Sequence, residues 1–382
     1  MEMQAHLDEN QRMLGDAVAR YLQRNYDLQS RHDATRPAGK HSPAHWAAFA
    51  DLGLLGLTIP ESYGGMGFDA TSTYVVMEAF GRHLVTEPYV STAILCPQLL
   101  LHAPSDAAHE KLLSDVITGT RIVAFAHGEP QTDYTLHNVE TRAVRDSGGW
   151  VLNGRKSVVI HGAIADMLLI SARTSGTLLS PEGISLFLLD PCQPGVTRNE
   201  YASVDGMPCA DFHFNGVRLE PAALLGLEGE GYPAILRATD IAAAALCAES
   251  VGAMSAIFDA TLDYVKTRKQ FGNTIGSFQA VQHRLVDMYL ELEQARSLAW
   301  LAAMRVDSAD DIERQRIVSA AKAKCSSSGR FIGQQGMQLH GGIGMTDELA
   351  LGRHVKRLVA IEHTFGDARH HLARYARLAV TT

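Results

Sequence analysis

The sequence predicts an α+β chain with segregated elements: a helical first third, a central antiparallel β domain and a helical last third. Three changes of texture carry that reading. Apolar residues recur at helical spacing from Leu7 to about Leu101, short β-type runs fill the stretch from about Gly119 to Gly226, and beyond about Thr239 proline disappears while alanine rises.

In the first third, Leu14, Val18, Tyr21 and Leu22 share one face of a helix. Ser42-Pro43 reads as a helix start, because a serine hydroxyl can cap free amides and proline suits the first turn, and Gly53 stands where that helix stops. The Gly64-Gly65-Met66-Gly67 cluster marks a loop before a further helix from Thr71 to His83. The β-type runs cover residues 121–126, 141–145, 166–174, 183–190 and 211–219, with turn signals at Asp146-Ser147-Gly148-Gly149 and Asn153-Gly154. In the last third, Phe258, Leu262 and Val265, then Val281, Leu285, Met288 and Leu292, mark long amphipathic helices, and the alanines at 242–245 offer a face that packs closely. The expected boundaries are an N-terminal helical domain at 1–117, a central β-barrel at 118–228 and a C-terminal four-helix bundle at 229–382.

Composition narrows the function. At 382 residues, with 46% hydrophobic and 20% charged, the chain suits two or three globular domains in water. A formal charge of −8 argues against a polyanion such as nucleic acid as main partner, since binding phosphates needs a basic face. Five dispersed cysteines without a C-x-x-C pair suggest neither a disulfide framework nor a zinc site. The opening MEMQAHLDENQ has no features of a targeting peptide, and no run of about 18 apolar residues suggests a membrane span, so the expected location is cytoplasmic.

Two motifs carry chemistry. Arg268-Lys269-Gln270-Phe271-Gly272, followed by Ile275 and Ser277-Phe278-Gln279, falls between two helical stretches; further on stands Gln338-Leu339-His340-Gly341-Gly342-Ile343-Gly344. An arginine fork can hold a diphosphate, an aromatic ring can pack on adenine, and glycines let backbone amides approach phosphate. Singly, these residues read as an exposed arginine, a core phenylalanine and loop glycines; jointly, they resemble the R-x-x-F-G-x-x-I-x-x-F-Q and Q-x-x-G-G-x-G segments of acyl-CoA dehydrogenases. The likeness extends over essentially the whole chain, including Glu129-Pro130 at the opening of the barrel. It implies the fold of that family, FAD as cofactor and an acyl-CoA thioester as substrate. It also implies that Arg268, Gln270, Phe271, Ile275, Phe278, Gln338, Gly341, Gly342 and Gly344 hold the ADP half of FAD, which in the family belongs to the neighbouring subunit's flavin.

The family reaction removes the α-proton of the thioester with a carboxylate while flavin N5 takes a hydride from the β-carbon. At the place of the family's usual glutamate this chain reads Thr364-Phe365-Gly366-Asp367, and at the place used by a second branch it has Ala242. Neither phenylalanine nor alanine can take a proton, so no catalytic residue is assigned. The loop at His127-Gly128-Glu129-Pro130-Gln131-Thr132-Asp133 keeps Glu-Pro but lacks the family's glycines and serine, and Val158 and Ile160 replace its tryptophan-x-threonine. The half-site offered to a neighbour is kept while the chain's own flavin side is eroded. This pattern resembles the base-less small subunit of two-chain enzymes, such as pimeloyl-CoA dehydrogenase small subunits or the paired enzymes of steroid side-chain degradation. A paralogous partner in a heterotetramer and an electron-transfer flavoprotein as acceptor follow from that resemblance. The alternatives are a homo-oligomer using Glu362 or Asp367 as base, a flavin-dependent monooxygenase or nitroalkane oxidase on the same fold, and a structural partner without flavin. Asp240 is expected to cap a helix, and His363, His370 and His371 to lie on the surface.

Overall fold

A computed structural model describes residues 7–26, 41–102, 107–346 and 348–380. In chain order its α-helices are α1 (Glu9–Asn25), α2 (Pro43–Asp51), α3 (Ala70–His83), α4 (Cys96–Leu101), α5 (Ala107–Ile117), α6 (Tyr232–Thr267), α7 (Gln279–Arg305), α8 (Asp311–His340), α9 (Leu351–His363) and α10 (Ala368–Val380). The strands are β1 (Val123–Ala126), β2 (Arg142–Asp146), β3 (Gly149–Ile160), β4 (Met167–Arg173), β5 (Ile184–Leu189), β6 (Val196–Ala202), β7 (Pro208–Leu219), β8 (Leu224–Leu225), β9 (Lys269–Gln270) and β10 (Asn273–Thr274). They fall into two compact units, whose boundary within α6 lies between Ala242 and Ala243.

The first unit gathers α1, α3 and the chain from Ala243 onward. A reciprocal capping box starts α1: the Asp8 carboxylate accepts from the Gln11 amide at 2.8 Å, while the Gln11 side chain accepts from the Asp8 amide at 3.1 Å. The Gln11 amide group then donates to the Thr71 hydroxyl at 2.6 Å, joining α1 to α3. Two glycines allow α3 and α6 to touch along their backbones. A Cβ at Gly81 would stand 1.8 Å from the Glu249 carbonyl oxygen, and one at Gly252 1.9 Å from that of Glu78, so neither position admits a side chain without parting the helices. A buried two-pronged ion pair, Arg357 Nε and Nη2 to Glu249 at 2.5 and 2.7 Å, fastens α9 to α6 beside that contact.

By length and composition α6 could cross a bilayer, although no apolar run of that length was expected. Its most apolar stretch is 89% buried inside the protein, so it reads as a core helix. Asp240 lies within α6 and is buried, and therefore does not cap it.

The second unit holds α2, α4, α5 and strands β1–β8. Ser42 caps α2, its hydroxyl accepting from the His45 amide at 3.3 Å with Pro43 in the first turn, as predicted. The strand order is β6-β7-β3-β2-β4-β5-β8, with β1 beside β4. The sheet is mixed rather than purely antiparallel, because β1 and β4 run parallel from Val123↔Met167 to Ala126↔Ile170, as do β2 and β4 at Arg142↔Arg173. Alternation of residue types records which face is buried and carries no information on the direction of the neighbouring strand. Asn153-Gly154 is a second correction: it lies inside β3, where the register shifts between Leu152 and Gly154. Gly154 has φ +143°, and a Cβ there would meet Thr141 at 2.6–2.9 Å, so the glycine serves a bulge against a crowded neighbour rather than a turn. Ala124, Leu152, Leu168, Ile170, Phe187 and Phe212, all at 0% exposure, form the middle of the sheet's core.

Candidate functional site

The segment expected to reach the ADP half of a dinucleotide is built as a hairpin at the end of α6. Strands β9 and β10 pair antiparallel, Gln270↔Asn273 and Lys269↔Thr274, around Phe271 and Gly272. Both turn residues have positive φ, 53° and 82°, the left-handed geometry that a two-residue hairpin demands and that a phenylalanine adopts only at some cost. The strain holds an aromatic ring out in solvent: Phe271 is 91% exposed and stands nearly perpendicular to the Phe278 ring, centroid to centroid 6.3 Å. The Ile275 amide donates to the Arg268 carbonyl at 2.8 Å and closes the loop. The side chains of Arg268, Gln270 and Gln338 have no hydrogen-bond partner among the described residues.

The glycine turn follows the end of α8. Gly341 takes φ +65°, and a Cβ at Gly341 or Gly342 would meet nothing within 4 Å, leaving this backbone open on one side. Gly344, by contrast, is buried, and its added Cβ would touch His340 at 3.0 Å. Arg284 of α7 donates to Gln335 of α8 at 3.0 Å, and the His340 ring stacks on Tyr264 of α6 at 4.4 Å. Both expected segments therefore stand together at one end of the first unit. Exposed cationic and amide side chains, an outward aromatic pair and open glycine backbone fit the ADP half of FAD.

The turn at the expected position of the base joins α9 to α10. Phe365 sits there at φ 59°. The buried Lys322 ammonium donates to the carbonyls of Ile361, Glu362 and Gly366 at 2.9, 3.0 and 2.7 Å, satisfying the free end of α9. Burial pushes that ammonium down to about 8. His371 Nε2 lies 3.0 Å from the Phe365 carbonyl, and burial depresses the ring to about 2, so it is neutral and donates to that oxygen. His371 is thus a core residue at 1% exposure, contrary to expectation, because its ring closes this turn; His363 is exposed. Of the two substitute carboxylates, Glu362 is buried in an ion pair with Arg330, and Asp367 accepts from the His370 amide at 2.8 Å as the cap of α10.

In the second unit, Glu129 is committed to the sheet. Its carboxylate meets the Lys156 ammonium at 2.6 Å and accepts from the amides of Glu140 and Thr141 at 2.8 and 3.1 Å. Burial works against its charge, but Lys156 and these bonds hold the carboxyl down at about 2. The Lys156 ammonium also donates to the His127 carbonyl at 3.0 Å and the Ser171 hydroxyl at 3.1 Å, which spends all three protons. Ser171 beside a lysine resembles a nucleophile with its base, yet both side chains are at 0% exposure and no substrate atom can reach them. Val158 is 61% exposed with φ 53°, a strained geometry for a β-branched residue, and its amide donates to the Asp211 carboxylate at 2.8 Å. Neither Val158 nor Ile160 offers a hydroxyl to a flavin. These backbone strains carry no signal in the sequence.

Among the described residues, no group of histidine, cysteine, aspartate or glutamate could hold a metal ion. Comparison with known proteins gives a consistent result. Sequence models of the acyl-CoA dehydrogenase N-terminal, middle and C-terminal domains match residues 8–120, 124–217 and 229–378. The chain is 30% identical to the mitochondrial long-chain specific acyl-CoA dehydrogenase of Rattus norvegicus, over 84% of this chain and 76% of that protein. Among solved structures it is similar to the FAD complex of PigA, with 26% identity, TM-score 0.90 and 98% of this chain and 99% of that chain covered. It is also similar to the ChsE4-ChsE5 complex of Mycobacterium tuberculosis, with 25% identity, TM-score 0.88 and 98% of each chain covered.

Proposed function

This chain belongs to the acyl-CoA dehydrogenase family of FAD-dependent oxidoreductases, and we propose that it serves there as the non-base subunit of a heteromeric enzyme, lending the ADP-binding half-site to a paralogous partner's flavin. When bound, FAD supplies the hydride acceptor for α,β-dehydrogenation of an acyl-CoA thioester. The chain's own part is to hold the diphosphate with Arg268 and Gln270, to pack Phe271 and Phe278 on the adenine side, and to present the Gly341-Gly342 backbone and Gln338 to phosphate. The partner supplies the carboxylate that takes the α-proton, and an electron-transfer flavoprotein reoxidises the pair.

One observation carries this reading: the turn at 364–367 has no carboxylate to spare, since Glu362 is paired with Arg330 and Asp367 caps α10. The ChsE4-ChsE5 complex, a relative solved as a two-protein assembly, supports it. The test is the visible spectrum and flavin-to-protein ratio of the chain purified alone and after co-expression with a paralogous partner. We expect a colourless chain alone and a yellow pair with one FAD per two chains. One FAD per chain in the protein purified alone would refute the proposal and make Glu362 and Asp367 the first residues to replace.

A second experiment addresses the base directly. General-base catalysis is typically worth about 10²–10⁴ in rate, yet Phe365→Glu in the chain alone should raise acyl-CoA dehydrogenation by less than about tenfold, because the flavin side is still lacking. A hundredfold gain, measured by reduction of an artificial electron acceptor, would mean that the chain's own flavin face works.

A further inference from the structure

We infer that Tyr264 and His340, neither of which is among the residues expected to hold the ADP half, are positioning residues that set the two halves of the ADP-binding surface against each other. The inference rests on the reading that those halves hold the ADP portion of FAD, and it adds what keeps them in register. The hairpin with Arg268 and the glycine turn come from helices far apart in the sequence, so their alignment needs a physical link between the end of α6 and the end of α8.

That link is one aromatic pair with three further ties. The rings of Tyr264 and His340 stack with centroids 4.4 Å apart and planes 23° from parallel. The Tyr264 hydroxyl donates to the His340 carbonyl at 3.4 Å, at the residue that leads directly into Gly341. His340 is buried, and its Nδ1 lies 2.9 Å from the Gly336 carbonyl; a carbonyl only accepts, so Nδ1 carries the proton and the ring is fixed to its own helix. At the other end, the Arg268 amide donates to the Tyr264 carbonyl at 2.8 Å. The chain of contacts thus runs from Arg268 through Tyr264 and His340 to the glycine turn without a gap.

The helices approach closely enough to make this contact stiff. A Cβ at Gly336 would stand 2.6 Å from the Ile257 side chain, about two α6 turns before Tyr264, and Gly344 packs under the His340 Cβ. A ring pair used only as core filling would tolerate any apolar side chain of similar bulk. A ring pair that sets register would not, because the stack fixes the angle at which the glycine turn leaves α8.

The test uses the flavin-stripped assembly, with titration of ADP as probe. Wild type is compared with Tyr264→Leu and His340→Leu, which keep apolar bulk without a stack, and with Tyr264→Phe and His340→Phe, which keep a ring. The leucine variants should bind ADP about tenfold more weakly, while the phenylalanine variants stay within about threefold of wild type. The melting temperature of the ligand-free protein follows packing alone and separates the two roles. Undiminished ADP binding in both leucine variants overturns the inference. If His340→Leu does not fold, Tyr264→Leu on the facing helix decides it. Failure of the wild type to bind either ADP or FAD refutes the half-site reading itself, and this inference with it.

Discussion

Replacing Lys156 with methionine will destabilise the protein by about 3–5 kcal/mol, the usual result of leaving one member of a buried ion pair without its partner. Lys156 and Glu129 are both closed to solvent, and the ammonium makes three bonds that methionine cannot replace. The pH dependence gives the loss a signature. Glu129 is held at about 2 in the folded chain against 4.5 ordinarily, so its contribution is present above 4.5 and fades as pH falls towards 2. Lys156→Met keeps only the part of that contribution that comes from the Gln131 and Glu140 bonds. The gap between the two proteins in urea unfolding should therefore be widest near neutrality and narrow over the acid range between those values. A gap independent of pH would mean that the cost is packing rather than charge. Bound flavin per folded assembly should be unchanged, because both residues are buried in the second unit and neither belongs to the half-site.

The helix and strand segments were legible in the sequence where local chemistry decides them. Ser42-Pro43 caps and starts α2, and the β-type runs at 166–174 and 183–190 became β4 and β5. What escaped depends on partners distant in the chain. Asn153-Gly154 has the residues of a turn, yet Thr141 and the bulge opposite β7 keep it in a strand. Strand β6 was missed because its residues, Val196 to Ala202, are largely exposed polar ones without a hydrophobic alternation to reveal them. His371 was expected on the surface with His363 and His370, because no metal set could be completed around them; its burial is decided by the turn at Phe365, whose carbonyl its ring meets. The site divides in the same way. The segments around Arg268 and Gly341 could be proposed from their spacing, whereas the Tyr264–His340 stack and the strained φ of Phe271 and Val158 exist only in three dimensions.

Arg268→Ala should produce the opposite phenotype to Lys156→Met: flavin lost, fold intact. The arginine is exposed, its side chain has no partner among the described residues, and a substitution at such a surface position moves stability by no more than about 0.5 kcal/mol. A hydrogen bond to a charged group is worth about 1.5–3 kcal/mol, so losing the guanidinium's hold on a diphosphate should weaken FAD binding about 10–100-fold. Arg268→Lys should recover only part of this, because an ammonium supplies the charge without the planar fork. Equilibrium dialysis of FAD against the purified assembly, at low and raised salt, measures both terms, and the wild-type affinity should fall with salt more steeply than that of Arg268→Ala. If Arg268→Ala binds FAD like wild type, the diphosphate is not held by this hairpin. The strained and exposed Phe271 would then need another ligand to account for it. If flavin falls and melting is unchanged, the two substitutions together separate the residues that build this subunit from those it lends to its neighbour.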